Sequence, residues 1–206
     1  MKLFLASSLD KTISLLMPLL SKPAKETKVI FIANAADHYK DKPWVDADRK
    51  AFIKNGFTVS EIDLRKTELK AFAAEIEISD ILHLCGGSVF YLLKLLKQNG
   101  FDKVIVEAIQ NNKIFYTSTS AGSIIVSESV EAFKYDEEEA QFIEGNNFSG
   151  LGIVNFLIVP HCNDPKYIVE NKHIMEYAPE FKFPLLLLND NQTVFVEGDK
   201  FKILSV

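Results

Sequence analysis

The sequence predicts an α/β fold: a doubly wound, mostly parallel sheet with helices on both faces and a C-terminal antiparallel hairpin. Three observations carry this. Strand-like and helix-like patterns alternate along the chain, the order of a parallel sheet with crossover helices. The runs IFIA, FLIV and LLLL are apolar throughout, which suits strands covered on both sides. Gly198-Asp199 sits between two short strand-like runs and sets up a closing hairpin.

The elements follow in order. Lys2–Ala6 reads as a strand and Asp10–Leu20 as a helix, with Ser8 or Asp10 available as N-cap. Lys28–Ala33 is a short β-branched run, and Val45–Asn55 a helix. Phe57–Leu64 alternates apolar and polar like a half-buried strand, and Glu68–Ile76 has helical spacing. Ile81–Cys85 is a strand that stops at Gly86-Gly87. Tyr91–Gln98 and Val104–Asn111 are helices, and Ile114–Ser118 and Phe156–Val159 are strands, the second ended by Pro160. Pro184–Leu188, Thr193–Val196 and Phe201–Leu204 complete the strands. The acidic run Tyr135–Ala140 reads as a solvated loop, and Glu137–Asn147 is the segment that would cover a site.

Bulk properties narrow the function. A chain of 206 residues fits one domain, 1–206, with a sizeable core. Nearly half the residues are hydrophobic and a quarter are charged, as in ordinary globular proteins. The net charge of -5, with only Arg49 and Arg65 as arginines, argues against a nucleic-acid partner, which needs concentrated basic residues. The two cysteines, Cys85 and Cys162, make no disulfide framework, so a reducing cytoplasm is expected. No spacing suggests a zinc site, and neither metal nor cofactor is expected. The N-terminal apolar stretch is broken by Ser8, Asp10 and Lys11, whereas a secretory segment keeps roughly 7–15 apolar residues unbroken. No run approaches the roughly 20 apolar residues that span a bilayer, so no membrane partner is expected.

In such a sheet, ligands bind beyond the carboxyl ends of the strands. Three features fall there. The first is Ser118-Thr119-Ser120-Ala121-Gly122, between two apolar runs. A nucleophile elbow usually reads G-x-S-x-G, because small neighbours relieve a strained turn. Gly122 keeps the second small position, and Ser118 stands at the first. The alternative is that one of these hydroxyls simply caps the next helix. At Ser118 an added Cβ would cost about 1–3 kcal/mol if its φ were positive. The helix after the elbow would aim its first amides at a developing oxyanion. The second feature is His161, fixed after Pro160 at a strand end and able to act as the base a serine hydroxyl needs. A surface histidine is the alternative. The third is Gly86-Gly87-Ser88, where paired glycines can turn backbone N–H groups inward; a tight turn alone would also want them. Cys85 beside it has no basic neighbour in sequence to activate its thiol. A carboxylate is needed to orient the histidine. Asp136, Glu131, Glu137, Glu138 and Glu139 lie in the loop after the elbow, and Asp190 lies at another strand end; the residues alone do not choose among them.

These blocks together resemble the peptidase E family of aspartyl dipeptidase-like serine peptidases, nearly end to end. Cys85-Gly86-Gly87-Ser88-Val89-Phe90-Tyr91-Leu92-Leu93 resembles the family's GGGNTF-x-LL segment. Ser118 to Ser123 resembles its GWSAGA elbow. Gly150-Leu151-Gly152-Ile153 through Val159-Pro160-His161 resembles its GLGL lead-in and N-P-H segment, and Ile32 to Ala36 its FIPTA strand end. The resemblance implies a fold similar to class I glutamine amidotransferases and a cytosolic serine peptidase, monomer or homodimer, that cuts short peptides, Asp-X dipeptides among them. It implies Ser120 as nucleophile, His161 as base and Asp136 as acid, with the Gly87 and Ala121 amides as oxyanion donors and Gly86 and Ser88 beside them. The chain departs from the family at Ser88 and Val89, which replace asparagine and threonine, and at Ser118. It also lacks the arginines past the histidine; Lys166, Lys172 and His173 are the cations there. Lysine does not replace arginine in bidentate carboxylate binding. These departures leave a ligand-binding homologue without catalysis as the alternative.

Overall fold

The computed structural model describes residues 1–135, 141–143, 145 and 147–206. One seven-stranded sheet organises them, in the order β3-β2-β4-β5-β1-β8-β9. Its parallel part is β1 (Lys2–Ala6), β2 (Lys28–Ile32), β3 (Thr58–Glu61), β4 (Ile81–Leu84) and β5 (Phe115–Thr119). β8 (Gln192–Glu197) and β9 (Lys200–Ser205) form the hairpin, turned at Gly198 with φ 61°. β8 pairs antiparallel with β1, which makes the hairpin one edge of the sheet.

Both faces of the central strands are apolar, as expected for a sheet covered on both sides. Along β1, Leu3 and Leu5 enter one core while Phe4 and Ala6 enter the other. β2 divides the same way, with Ile30 and Ile32 opposite Val29 and Phe31. The first core is closed by α3 (Leu69–Ile78), α4 (Val89–Gln98) and α5 (Phe101–Gln110). The second is closed by α1 (Leu9–Leu16) and α2 (Pro43–Lys54). Pro43 occupies the first turn of α2, where its missing N–H costs nothing.

Four elements differ from the sequence expectation. The first helix gives way at Met17–Leu19 to a 3₁₀ turn that contains Pro18, instead of running to Leu20. The strands from FLIV and LLLL do not join the main sheet. β6 (Leu157–Val159) and β7 (Leu185–Leu187) pair parallel in a two-stranded sheet of their own. β6 is buried, but Leu187 is 43% exposed, so the leucine run is covered on one side only. Between these two strands lies a helix that no sequence pattern marks, Ile168–Tyr177; its single buried residue, Ile174, gives almost no apolar stripe to detect. It is α7 here, after the one-turn α6 (Ala121–Ile124). Among the described residues, no helix is long and apolar enough to cross a membrane. Most of the acidic run Tyr135–Ala140 and part of the covering segment Glu137–Asn147 lie outside the described residues.

Candidate active site

The carboxyl ends of β1, β4, β5 and β6 (Leu157–Val159) bring their following residues to one crevice of about 580 Å³. β5 runs out at Thr119. Ser120 then takes φ 49° and ψ −109°, a strained backbone for a residue with a side chain. The turn is held from several directions. Ser120 N–H donates to Ala6 O (3.0 Å), and the N–H groups of Ser123 and Ile124 donate to Ser120 O (2.8 and 2.9 Å). The buried Tyr116 hydroxyl donates to Gly122 O (2.7 Å). A Cβ on Gly122 would run into the carbonyl oxygen of Leu84, so this position admits glycine alone.

Ser118 carries none of the strain considered for it. It lies within β5, and the positive-φ residues with side chains are Asn112, Ser120 and His161 among the described residues. Its Oγ is 2.8 Å from Ser123 Oγ, which itself donates to Ala6 O at 2.8 Å. Ser118 is therefore the donor of that pair, and its hydroxyl ties the strand to the elbow. The helix after the elbow is one turn long, so individual amides, not a long helix dipole, face the crevice.

His161 follows the buried strand β6 and Pro160, with φ 59°. The β6–β7 pairing continues past both strands: Leu188 N–H donates to Val159 O (2.9 Å) and Cys162 N–H to Leu188 O (3.0 Å). That register sets Asp190 beside His161. His161 Nδ1 lies 2.6 Å from Asp190 Oδ1, and Nε2 lies 3.0 Å from Ser120 Oγ. Ser7, just past β1, braces both: it donates to Asp190 Oδ1 (2.9 Å) and accepts from His161 N–H (2.9 Å). Lys11 Nζ reaches Asp190 Oδ2 at 2.7 Å, and Tyr167 stacks on the imidazole at 4.7 Å and 20°.

The electrostatics follow from these partners. The His161 hydrogen bond holds the Asp190 carboxyl well below the usual carboxylate range, against the opposing effect of burial; Lys11 and Ser7 add to the lowering. An ionised carboxylate only accepts, so Nδ1 carries the imidazole proton and Nε2 turns a lone pair toward the Ser120 hydroxyl. Such a chain can remove a hydroxyl proton and stabilise the imidazolium that results. Asp136, the acid implied by resemblance, lies outside the described residues. The sequence offers Asp190 as one of several carboxylates; its signal is the one His161 gives, a polar residue just past an apolar strand. Ser7, Lys11 and Tyr167 had no mark in the sequence.

The glycine pair lies across from the elbow. A Cβ on Gly86 would come 3.1 Å from Ser120 Cβ, and Gly86 O accepts from Trp44 Nε1 at 3.0 Å. Gly87 has φ 146°, and a Cβ there would collide with Ala35 O. The N–H groups of Gly87 and Ala121 have no backbone acceptor among the described residues. Ser88, grouped with these glycines from the sequence, sits at the start of α4. Its N–H donates to Ala35 O (2.9 Å), and its Oγ caps α4 by accepting from Tyr91 N–H (3.1 Å). Cys85 is wholly buried, and burial pushes its thiol well up in pKa, which suits no nucleophile. The far wall of the crevice is aromatic at Trp44, Phe133 and Tyr135, with Lys166 and His173 also lining it. His173 Nε2 and Asn171 Nδ2 are shielded from solvent without a hydrogen-bond partner among the described residues.

Comparison with known proteins shows the family. A family model described as peptidase family S51 matches residues 3–204. An uncharacterized peptidase of Listeria innocua is 31% identical over 181 residues, covering 87% of this chain and 86% of its own. A candidate alpha-aspartyl dipeptidase of Drosophila melanogaster is 25% identical over 192 residues, covering 90% and 75%. A crystal structure of a candidate peptidase E protein from Listeria monocytogenes EGD-e superposes with a TM-score of 0.89 at 25% identity, covering 100% of this chain and 98% of that one.

Proposed function

The chain belongs to peptidase family S51, and on that premise we propose that it hydrolyses short peptides by a serine mechanism, with Ser120 as nucleophile, His161 as base and Asp190 as the orienting acid. The observation that carries this is the continuous chain Ser120 Oγ–His161 Nε2 (3.0 Å) and His161 Nδ1–Asp190 Oδ1 (2.6 Å), built on a strained elbow. His161 takes the Ser120 proton as Oγ attacks the scissile carbonyl. The amides of Gly87 and Ala121 receive the oxyanion. His161 returns the proton to the leaving amine, and water then releases the acyl group by the same route.

Asp-X dipeptides belong to the proposed substrates. Lys166 and His173 line the crevice, and the Lys166 ammonium and the His173 imidazole are the groups an acidic side chain would meet. Neither offers the planar fork of arginine, so selection for aspartate over alanine at that position should be modest.

Intact-protein mass spectrometry after fluorophosphonate treatment tests the mechanism. One adduct on Ser120 is expected, absent from Ser120→Ala and His161→Ala. In a dipeptide assay, Ser120→Ala should lower turnover about 10⁴-fold or more while the fold, read by circular dichroism, is kept. Full activity in Ser120→Ala would overturn the proposal.

A further inference from the structure

A second polar cluster lies between the sheet and α2, outside the crevice lining. Asp48 comes from α2, His83 from the middle of β4, and Cys85 from just past that strand. Asp48 is 1% exposed, and the other two are fully buried. Phe31 stacks on the His83 ring at 5.2 Å, and Phe52 meets it edge-on at 5.1 Å. Half of the polar capacity is used. Asp48 Oδ1 accepts from Asp10 N–H (3.2 Å), and His83 Nδ1 pairs with Thr117 Oγ1 (3.0 Å). The other half is not: Asp48 Oδ2 and His83 Nε2 are buried with no hydrogen-bond partner among the described residues. They face each other at 3.5 Å. Ligand atoms of Asp48, His83 and Cys85 all lie within 4.8 Å of one another. Buried polar atoms are nearly always paired, so this gap in an aromatic core needs an occupant.

We propose that Asp48, His83 and Cys85 bind one zinc-class divalent cation that clips α2 to the end of β4. The spacing fits: two O or N ligands held at about 2.0–2.1 Å on a tetrahedral ion sit about 3.4 Å apart. The donor set of one carboxylate, one imidazole and one thiolate is that of zinc rather than of magnesium or calcium. Charge fits as well. A carboxylate, a thiolate and a neutral imidazole around a dication sum to zero, the state an apolar pocket accepts most readily. Thr117 holds the other imidazole nitrogen, as the outer partner of a ligating histidine does. Three protein atoms and one water complete the shell. On binding, the Cys85 S–H bond breaks, a sulfur–metal bond forms and the proton passes to solvent. The ion joins as the chain folds, because every ligand is buried. Its consequence for the crevice is direct: Cys85 immediately precedes Gly86-Gly87, so the clip anchors that turn.

The chain has two cysteines, so the Cys162→Ala variant leaves Cys85 as the one thiol. This variant, produced in cobalt-supplemented and in zinc-supplemented medium and purified without chelator, gives the test. Elemental analysis should find one metal ion per chain. The cobalt form should show a thiolate-to-cobalt charge-transfer band in the near ultraviolet and strong visible bands of a tetrahedral ion. Adding Cys85→Ala, or Asp48→Asn alone in the parent chain, should remove the metal. A folded Cys162→Ala protein with no bound metal and no charge-transfer band would overturn the proposal, leaving a proton shared between Asp48 and His83. So would metal retained undiminished in both ligand variants.

Discussion

Asp190→Asn separates the carboxylate that meets His161 in the fold from the acid implied by resemblance. The carboxylate takes three hydrogen bonds, from His161 Nδ1 (2.6 Å), Ser7 Oγ (2.9 Å) and Lys11 Nζ (2.7 Å). An asparagine of the same shape cannot accept all three. With its oxygen toward His161, its NH₂ meets the Lys11 ammonium, donor against donor. With its NH₂ toward His161, Nδ1 must be the bare nitrogen, and Nε2 then carries the hydrogen that faces Ser120. That tautomer cannot take the serine proton. Either way the imidazolium formed during attack loses its facing negative charge. The expected loss in kcat/KM is about 10³–10⁴-fold, or about 4–5.5 kcal/mol of transition-state stabilisation. The second-order rate of fluorophosphonate labelling at Ser120 should fall in parallel, which removes any dependence on the choice of substrate. Asp136→Asn, measured beside it, should stay within about twofold of the parent chain. A large loss in Asp136→Asn with labelling intact in Asp190→Asn would refute the assignment.

Three further predictions rest on the same geometry. Gly87→Ala should destabilise the chain by about 3 kcal/mol or more, read as a lower urea midpoint, because its Cβ overlaps Ala35 O at a φ that side chains avoid; an unchanged midpoint would show that the turn is not held as described. Ser118→Gly restores the family's glycine yet should cost about 1–2 kcal/mol, since it removes the buried donor to Ser123 and puts glycine in a strand, while the labelling rate holds. Stability should depend on pH through Asp190 and Asp63. Both carboxyls are held below their usual range, Asp190 chiefly by His161 and Asp63 chiefly by Arg65. Their contribution is therefore complete above the unfolded pKa of about 3.9 and drains away as pH falls further. Urea midpoints should be level from neutral pH to about 5 and drop below about 4, less steeply in Asp190→Asn; equal slopes would exclude Asp190 as a source.

How much of this was legible in the chain differs from element to element. β1, β2, β4 and β5 stand within a residue or so of where their apolar runs place them, because both faces are buried and the pattern is strong. The elbow was legible because a sharp strand-to-helix turn demands small residues, and Gly122 meets a carbonyl that admits nothing larger. His161 was legible from Pro160 and the strand end. The capping of α4 by Ser88 was not legible: a helix cap and a crevice residue share the same serine, and its bonds to Ala35 and Tyr91 come from the fold.

The sequence by itself determined the alternation of elements, the apolar runs that become strands, the hairpin, and the residues at strand ends that point to a crevice. Those are local properties, written in spacing, residue size and turn chemistry. Only the tertiary structure decided which carboxylate meets His161. Asp190 reaches it because β6 and β7 pair in parallel, and no local pattern near residue 190 states that register. The same holds for Ser7 and Lys11, more than 150 residues away in the chain. It holds for Asp48, His83 and Cys85 too. Their spacing resembles no metal motif, because α2 supplies one donor and the β4 segment the other two, and only packing brings them within reach of one ion.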